Sequence, residues 1–183
     1  MLNMQAHRTA GFTMLEILIS IVIIAFGLLG IAGLQAYALK HNHSASLRLT
    51  ATALAADMID RMKANPAGVG GGGTTLEGQY NKSDTADYAS AVPSCTDPTG
   101  SCTPTELAAN DRFEWQTRVS ELLPGGVGVV CRDSTPTDGE PTATECDNIG
   151  EVAYVIKIWW TDHRTTRAGA NPERQLFWTS FNP

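Results

Sequence analysis

The chain opens with a long apolar run before its pattern becomes mixed. From Ile17 to Leu39 there are 23 consecutive residues without a charge. As a helix this run is about 35 Å long at ~1.5 Å per residue, enough to cross a bilayer core of about 30 Å. Its β-branched residues do not favour a strand, because a membrane admits only helices and closed barrels. The pattern predicts a membrane-spanning helix over residues 12–39.

The same helix is predicted to continue past the apolar run. From Ser44 the sequence becomes amphipathic, and the stop signal Asn65-Pro66 follows the last apolar step. The apolar residues recur at steps of three and four, as on one helix face: Leu47, Ala51, Leu54, Met58 and Met62. We therefore predict one helix from about residue 13 to 64, whose amphipathic part, residues 40–65, packs on a soluble head.

The head, residues 66–183, begins with a polar stretch and one further helix. Residues 66–103 are rich in Gly, Ser, Thr, Asp and Pro, and predict a long connection. Thr103 and Glu106 then flank Pro104 with the spacing of a capping box. The helix that they start is predicted to end at Pro124-Gly125-Gly126. Its buried face is assigned to three residues: Trp115, Val119 and Leu122.

Three strand-like runs close the chain, at residues 126–132, 151–161 and 174–181. The simplest arrangement is an antiparallel meander. In the middle run apolar residues alternate, which assigns Trp160 to the core and leaves Trp159 as a candidate contact with another subunit. The predicted fold class is α+β, with a long N-terminal helix packed on a small antiparallel sheet.

Charge and composition exclude several functions. The formal net charge is −6, and Lys and Arg are not clustered, so nucleic acid is not an expected partner. The glycine run at residues 70–73 lacks the Lys-Ser or Lys-Thr of a phosphate-binding loop. No nucleophile elbow is present either. We expect no enzymatic activity, no catalytic residues and no cofactor.

All four cysteines lie after residue 90. Their even number behind a membrane segment predicts an oxidising compartment and two disulfides. Local pairing gives Cys95–Cys102 and Cys131–Cys146, which is one of three connectivities; four free thiols or a zinc site are the alternatives. The spacing has no C-x2-C and no nearby His, so we expect no metal. His41 and His43 fall on different helix faces, and are interpreted as polar residues beside the membrane.

The first ten residues are too short and too polar for a conventional signal peptide, in which an apolar core precedes the cleavage site. In this chain the apolar run comes after these residues instead. They carry His7 and Arg8 and no acid. Positive charge before a span keeps that end in the cytoplasm. We therefore expect a single-pass protein of the inner membrane with its head in the periplasm.

The segment from Gly11 to Glu16, GFTMLE, followed at once by the apolar run, resembles the class III signal of type IV prepilins and pseudopilins. The resemblance implies a leader over residues 1–11, cleavage between Gly11 and Phe12 by a prepilin peptidase, and N-methylation of Phe12. It also implies that Glu16 neutralises the terminal amine of a neighbouring subunit in a filament. The fold implied is type IV pilin-like.

One departure from major pilins lies inside the apolar run. Major pilins usually carry a helix-kinking Pro there, whereas this chain has Gly33, preceded by Gly27 and Gly30. Without Pro no backbone hydrogen bond is lost, so a straighter helix is expected. The glycines could pack helices closely, loosen the helix in a filament, or reflect ordinary transmembrane composition.

Further blocks resemble the PilV-type minor pilins over about residues 11–66. They include GLLG at residues 27–30 and LAADMIDRMKANP at residues 54–66. This implies a minor pilin that acts in pilus initiation at or near the tip, with roles in adhesion and twitching motility. The partners implied are other minor pilins, the major pilin, a tip-associated adhesin, the prepilin peptidase and the inner-membrane assembly platform.

Two alternatives stay open at this point. A minor pseudopilin of a type II secretion system has the same N-terminal signal. A membrane-anchored periplasmic binding protein that never polymerises would need neither Gly11 nor Phe12 nor Glu16. A pilin and a pseudopilin differ in location after assembly, since a pilus extends from the cell surface.

Overall fold

The computed structural model describes residues 11–70, 79–97, 100–147, 153–162 and 173–182. The chain forms two units, residues 1–42 and 43–183. The helices are α1 (Met14–Ala64), α2 (Pro66–Val69), α3 (Pro93–Thr96) and α4 (Pro104–Leu122), with a 3-10 helix at Thr85–Tyr88 between α2 and α3. The strands are β1 (Val127–Arg132), β2 (Tyr154–Asp162) and β3 (Glu173–Phe181).

The predicted long helix is confirmed, because α1 is continuous from Met14 to Ala64. It ends where Asn65 leaves the helical conformation and caps α2, since its side chain accepts a hydrogen bond from the Gly68 amide at 3.2 Å. Asn65 also donates to the Pro104 carbonyl at 2.8 Å. Residues 66–103, predicted as a long connection, contain more regular structure than expected, because three short helical pieces lie among their described residues.

The core of the head is built on the apolar stripe of α1. All five predicted residues are buried, and Ala55 joins them. They belong to one cluster with residues of α4 and of the strands. The indole N–H of Trp115 donates to the Leu54 carbonyl at 2.8 Å, which ties α4 to α1. The Trp115 ring also fills the space above Gly128, where a Cβ would lie 2.3 Å from the ring, so only glycine fits.

Helix α4 starts as predicted but ends differently. The capping box is confirmed, because Thr103 accepts from the Glu106 amide at 3.3 Å and Glu106 accepts from the Thr103 amide at 2.9 Å. The assignment of Leu122 to the core was wrong, since it is 51% exposed whereas Leu123 is 1% exposed. The helix ends at Leu122 and the Leu123 backbone is extended. Helical spacing therefore does not apply beyond Leu122, and the side chain that enters the core is that of Leu123.

The antiparallel meander is confirmed, with strand order β1-β2-β3. In the β2–β3 ladder the partners run from Tyr154↔Phe181 to Asp162↔Glu173 in one unbroken register. The predicted start of the second strand, residues 151–152, lies outside the described residues. The fold class is therefore α+β, with a long N-terminal apolar helix and a small antiparallel sheet.

Both faces of β2 are buried, which corrects the assignment of Trp159. Trp159 is 2% exposed and Trp160 is 1% exposed, although alternation places them on opposite faces. The second face is covered by residues 133–147, here named the covering segment. The Trp159 indole N–H donates to the Gly139 carbonyl of this segment at 3.3 Å. The alternation is real, but Trp159 is not available as a surface contact.

Candidate assembly site

The segment GFTMLE includes the first residues of helix α1 and the residue that caps this helix. Gly11, Phe12 and Thr13 precede the helix. The Glu16 amide donates to the Thr13 hydroxyl at 3.3 Å and to the Thr13 carbonyl at 3.1 Å. Glu16 thus lies in the first turn, where the positive end of the helix dipole stabilises a carboxylate. Thr13 was not predicted to cap the helix, although the sequence contains the signal for a cap, a Thr three residues before a Glu.

The three residues of the predicted processing and assembly site are exposed. Phe12 is 81% exposed. Among the residues that the structure describes, the Glu16 carboxylate has no hydrogen bond or ion pair. In the uncleaved chain the Phe12 nitrogen is still bonded to Gly11, so it carries no charge. The segment therefore presents a carboxylate whose partner does not come from the described part of its own chain.

The apolar part of α1 is a bare surface. Every residue from Gly11 to Asn42 is exposed. An 18-residue window of α1 has a mean hydropathy of 2.8 with none of it buried, and length and composition make this helix able to cross a membrane. Apolar surface of this extent does not stay in water. It needs either lipid or the helices of other subunits.

The three glycines of the apolar run do not interrupt α1, which continues through them as α-helix. A Cβ at Gly27, Gly30 or Gly33 would meet no atom within 4 Å. Nothing in the described part of the chain therefore requires glycine at these positions. Close helix packing between subunits stays a prediction for them.

The head contains a buried charge cluster that the sequence analysis missed. Lys157, in the middle of β2, is completely buried, and so is Asp133, whose carboxylate lies 2.5 Å from the ammonium. The ammonium also donates to the Asp138 carboxylate at 3.1 Å and to the Thr144 carbonyl at 3.0 Å. Hydrogen bonds from Thr135 and from Lys157 hold the pKa of the Asp138 carboxyl below its usual value. The available signal was a lone Lys in an otherwise apolar strand.

The cysteines form two disulfides, Cys95–Cys102 and Cys131–Cys146. The second one closes the covering segment over β2. Within the described residues, one group of three potential metal ligands occurs: Cys131, Asp133 and Cys146. Its two sulfurs are bonded to each other, and its carboxylate faces the Lys157 ammonium. This group therefore has no free ligand set for zinc.

We predict that replacing both Cys131 and Cys146 with Ala lowers the free energy of unfolding by about 3 kcal/mol, because a 15-residue loop is no longer closed in the unfolded chain. Urea titration of the full chain in detergent, followed by tryptophan fluorescence, measures the change. The matched control is the Cys95→Ala, Cys102→Ala variant, whose separation of 7 residues predicts a smaller loss. A larger loss for this control would contradict the prediction.

Two family models match the chain, and they adjoin each other. The model described as the prokaryotic N-terminal methylation motif matches residues 6–32. The model described as type IV pilin Tt1218 matches residues 33–113. Together they cover residues 6–113, a range that ends within α4. No curated protein and no solved structure matches the chain.

An exposed apolar helix with a carboxylate in its first turn, joined to a small antiparallel sheet, agrees with these matches. The chain belongs to the type IV pilin-like proteins. More particularly, it is a type IV pilin that carries the N-terminal methylation motif, with the helix of a membrane-anchored pilin. The family is structural rather than enzymatic, and its members interact with other pilus components.

Proposed function

We propose that this chain is a minor pilin of a type IV pilus and acts in the complex that initiates assembly at or near the tip. The observation that carries the assembly part of this proposal is the combination of a bare apolar helix with a first-turn Glu16 carboxylate that has no partner among the described residues. A simple membrane anchor needs the apolar helix but not the charge, because a carboxylate at a membrane helix is costly. Its presence favours a subunit that pairs the charge on assembly.

The proposed maturation uses the exposed segment before α1. A prepilin peptidase cleaves between Gly11 and Phe12, and the new amine of Phe12 is then N-methylated. The exposure of both residues supports this step. Cleavage leaves a positive amine at the start of one helix and a negative carboxylate four residues along the next, which are complementary charges for neighbouring subunits.

We predict that Gly11→Val blocks this maturation. A branched side chain beside the scissile bond obstructs a protease cleft that glycine leaves open, while nothing within 4 Å in the described structure opposes the new Cβ. Intact mass of membrane-extracted protein distinguishes the precursor from a mature chain that starts at N-methylated Phe12. Gly11→Ala is the matched control and keeps partial cleavage. A wild-type chain that matures at any other residue would contradict the maturation proposal.

The proposed partners are those of a minor pilin. Before assembly the chain spans the inner membrane once, with its head in the periplasm, and meets the prepilin peptidase and the assembly platform. After assembly it contacts other minor pilins, the major pilin and a tip-associated adhesin in the pilus. The resemblance of residues 54–66 to PilV-type minor pilins supports the minor role.

Two measurements test the proposed role: the number of copies of this chain in filaments, and the effect of its deletion on the number of pili. We expect sheared surface filaments to contain far fewer copies of this chain than of the major pilin, and its deletion to reduce pilus number. Normal piliation with a defect in protein secretion would instead identify a pseudopilin. A mature chain that stays in the membrane, with no effect on either process, would identify a non-polymerising anchored protein.

A further inference from the structure

The two outer edges of the sheet differ in how their backbone groups are paired. Along β1, every second amide points away from β2, and each of these amides donates to a side chain from outside the sheet. The acceptors are Gln116 for Gly128 (2.8 Å), Tyr88 for Val130 (2.7 Å) and Asn81 for Arg132 (2.8 Å). The Val130 carbonyl accepts from the Lys82 amide at 2.9 Å. The β1 edge is therefore closed.

The outward residues of β3 follow from the register. Because Val130 points its amide away from β2, its partner Ile156 directs its backbone groups towards Thr179 of β3. The residues between these bonded pairs face outward on β3: Arg174, Leu176, Trp178 and Ser180. Among the described residues, none of their backbone groups has a hydrogen-bond partner. Within the described part of the chain, one edge of the sheet is closed and the other is open.

Apart from the charged residues Glu173 and Arg174 at its start, the open edge carries none of the sequence features that protect an edge strand. Its register runs over nine pairs without a bulge, and the strand contains no Pro and no Lys. Its centre is apolar, at Leu176, Phe177 and Trp178, and Trp178 is 39% exposed. A long, regular and apolar edge is a template for another strand.

We propose that β3 binds an extended segment of a neighbouring, non-identical subunit, which adds a fourth strand to the sheet. Alternating N–H and C=O groups along one line are matched by an extended peptide backbone. The outward backbone groups of Leu176, Trp178 and Ser180 form the main-chain bonds. The exposed Trp178 side chain contributes apolar contact to the added strand.

The size of the contact indicates what kind of partner occupies it. Nine residues of strand extend about 30 Å, so one added strand is a narrow contact, whereas stable protein interfaces bury at least ~1,200 Å². The occupant must therefore be held by a second contact. The bare apolar helix α1 supplies such a contact to a subunit of the same filament, so this inference rests on the proposed function.

A second copy of this chain fits the edge less well. Antiparallel pairing of β3 with β3 would be a closed two-fold contact, which suits pairs of identical subunits. A subunit present in few copies has mainly other pilins as neighbours. The proposal therefore commits to a segment of a different subunit.

The test places a photo-crosslinking amino acid at Ser180, which is exposed beside the open edge. The full chain is expressed in piliated cells, irradiated, and recovered from sheared filaments. We expect an adduct that maps to an extended segment of another pilin subunit. The matched control carries the crosslinker at exposed Glu121 on α4 and lacks this adduct. A crosslink within the same chain, a crosslink to a second copy of this chain, or the absence of any crosslink would overturn the proposal.

Two substitutions at Trp178 separate backbone pairing from side-chain contact. Trp178→Pro removes an outward N–H that β2 does not use, a position where an edge strand tolerates Pro. We expect it to lower the Ser180 adduct about tenfold, which corresponds to a loss of about 1.4 kcal/mol of binding free energy. Trp178→Ala keeps the N–H and retains most of the adduct. Equal yields for the wild type and both variants would overturn the proposal.

The result also separates this inference from the proposed function. A chain that never appears in sheared filaments contradicts the proposed function before the edge is considered. A chain that enters filaments normally, but forms no Ser180 adduct, contradicts the open-edge proposal alone. Formation of both disulfides shows that each variant has folded.

Discussion

Glu16→Ala is expected to lower the amount of this chain in sheared filaments at least about tenfold, while the amount of mature protein in the membrane stays near the wild-type level. In the single chain the carboxylate is exposed and has no partner among the described residues. In the proposed filament it enters a packed layer of apolar helices, where an unpaired charge is costly and a paired one is accommodated. The proposed pairing with the Phe12 amine of a neighbour exists in the assembled state, and would therefore favour assembly.

Two further variants locate the cause of this loss. Glu16→Gln keeps the shape and removes the charge, and we expect it to fail nearly as severely. Ser20→Ala removes a polar group one turn along the same exposed helix, where the hydroxyl donates to the Glu16 carbonyl at 2.7 Å, and we expect near-normal incorporation. Normal filament incorporation and piliation for both Glu16 variants would show that the charge has no role in assembly.

Lys157→Met is expected to lower the free energy of unfolding by about 3–5 kcal/mol, the typical cost of leaving one partner of a buried ion pair alone. Both Lys157 and Asp133 are completely buried, so neither charge can reach water when the other is removed. Asp133→Asn is expected to cause a smaller loss, because the Lys157 ammonium keeps its contact with the Asp138 carboxylate at 3.1 Å. Urea titration of the full chain in detergent measures both.

The double variant Lys157→Met, Asp133→Asn distinguishes a charge effect from poor packing. We expect it to lose much less than the sum of the two single changes, because no buried charge is left. Lys63→Met, at an exposed position of α1, is the control and changes stability by less than about 0.5 kcal/mol. Additive losses in the double variant would mean that the two side chains act independently.

The elements that the sequence predicted correctly depend on local patterns. The apolar run and the following stripe predict α1, and Thr103 with Glu106 predicts the start of α4, because each feature acts within one or two helical turns. Alternation predicts the strands of the meander for the same reason. These features were readable without knowledge of the tertiary structure.

The errors occur where distant parts of the chain determine the result. Alternation shows that Trp159 and Trp160 face opposite ways, but not that the covering segment lies over Trp159. That segment has no periodic pattern, and it is held by Cys131–Cys146 and by Lys157. The position of Leu123 likewise depends on where α4 ends.

The candidate site shows a different limit. Gly11, Phe12 and Glu16 have a clear sequence signal, because they lie in one short linear motif before an apolar run. Their proposed partner is another chain, so the described residues of one chain place them at the surface without any contact that uses them. The open edge of β3 had no sequence signal, since Leu176 to Trp178 also fit an inner strand.

The distribution of the four tryptophans has an optical consequence. Trp115, Trp159 and Trp160 are buried, whereas Trp178 is 39% exposed. A collisional quencher in the solvent therefore reaches one indole and spares the other three. The quenchable fraction of the intrinsic emission reports on the outer strand alone, so covering of that strand during assembly can be followed by fluorescence without attaching any label.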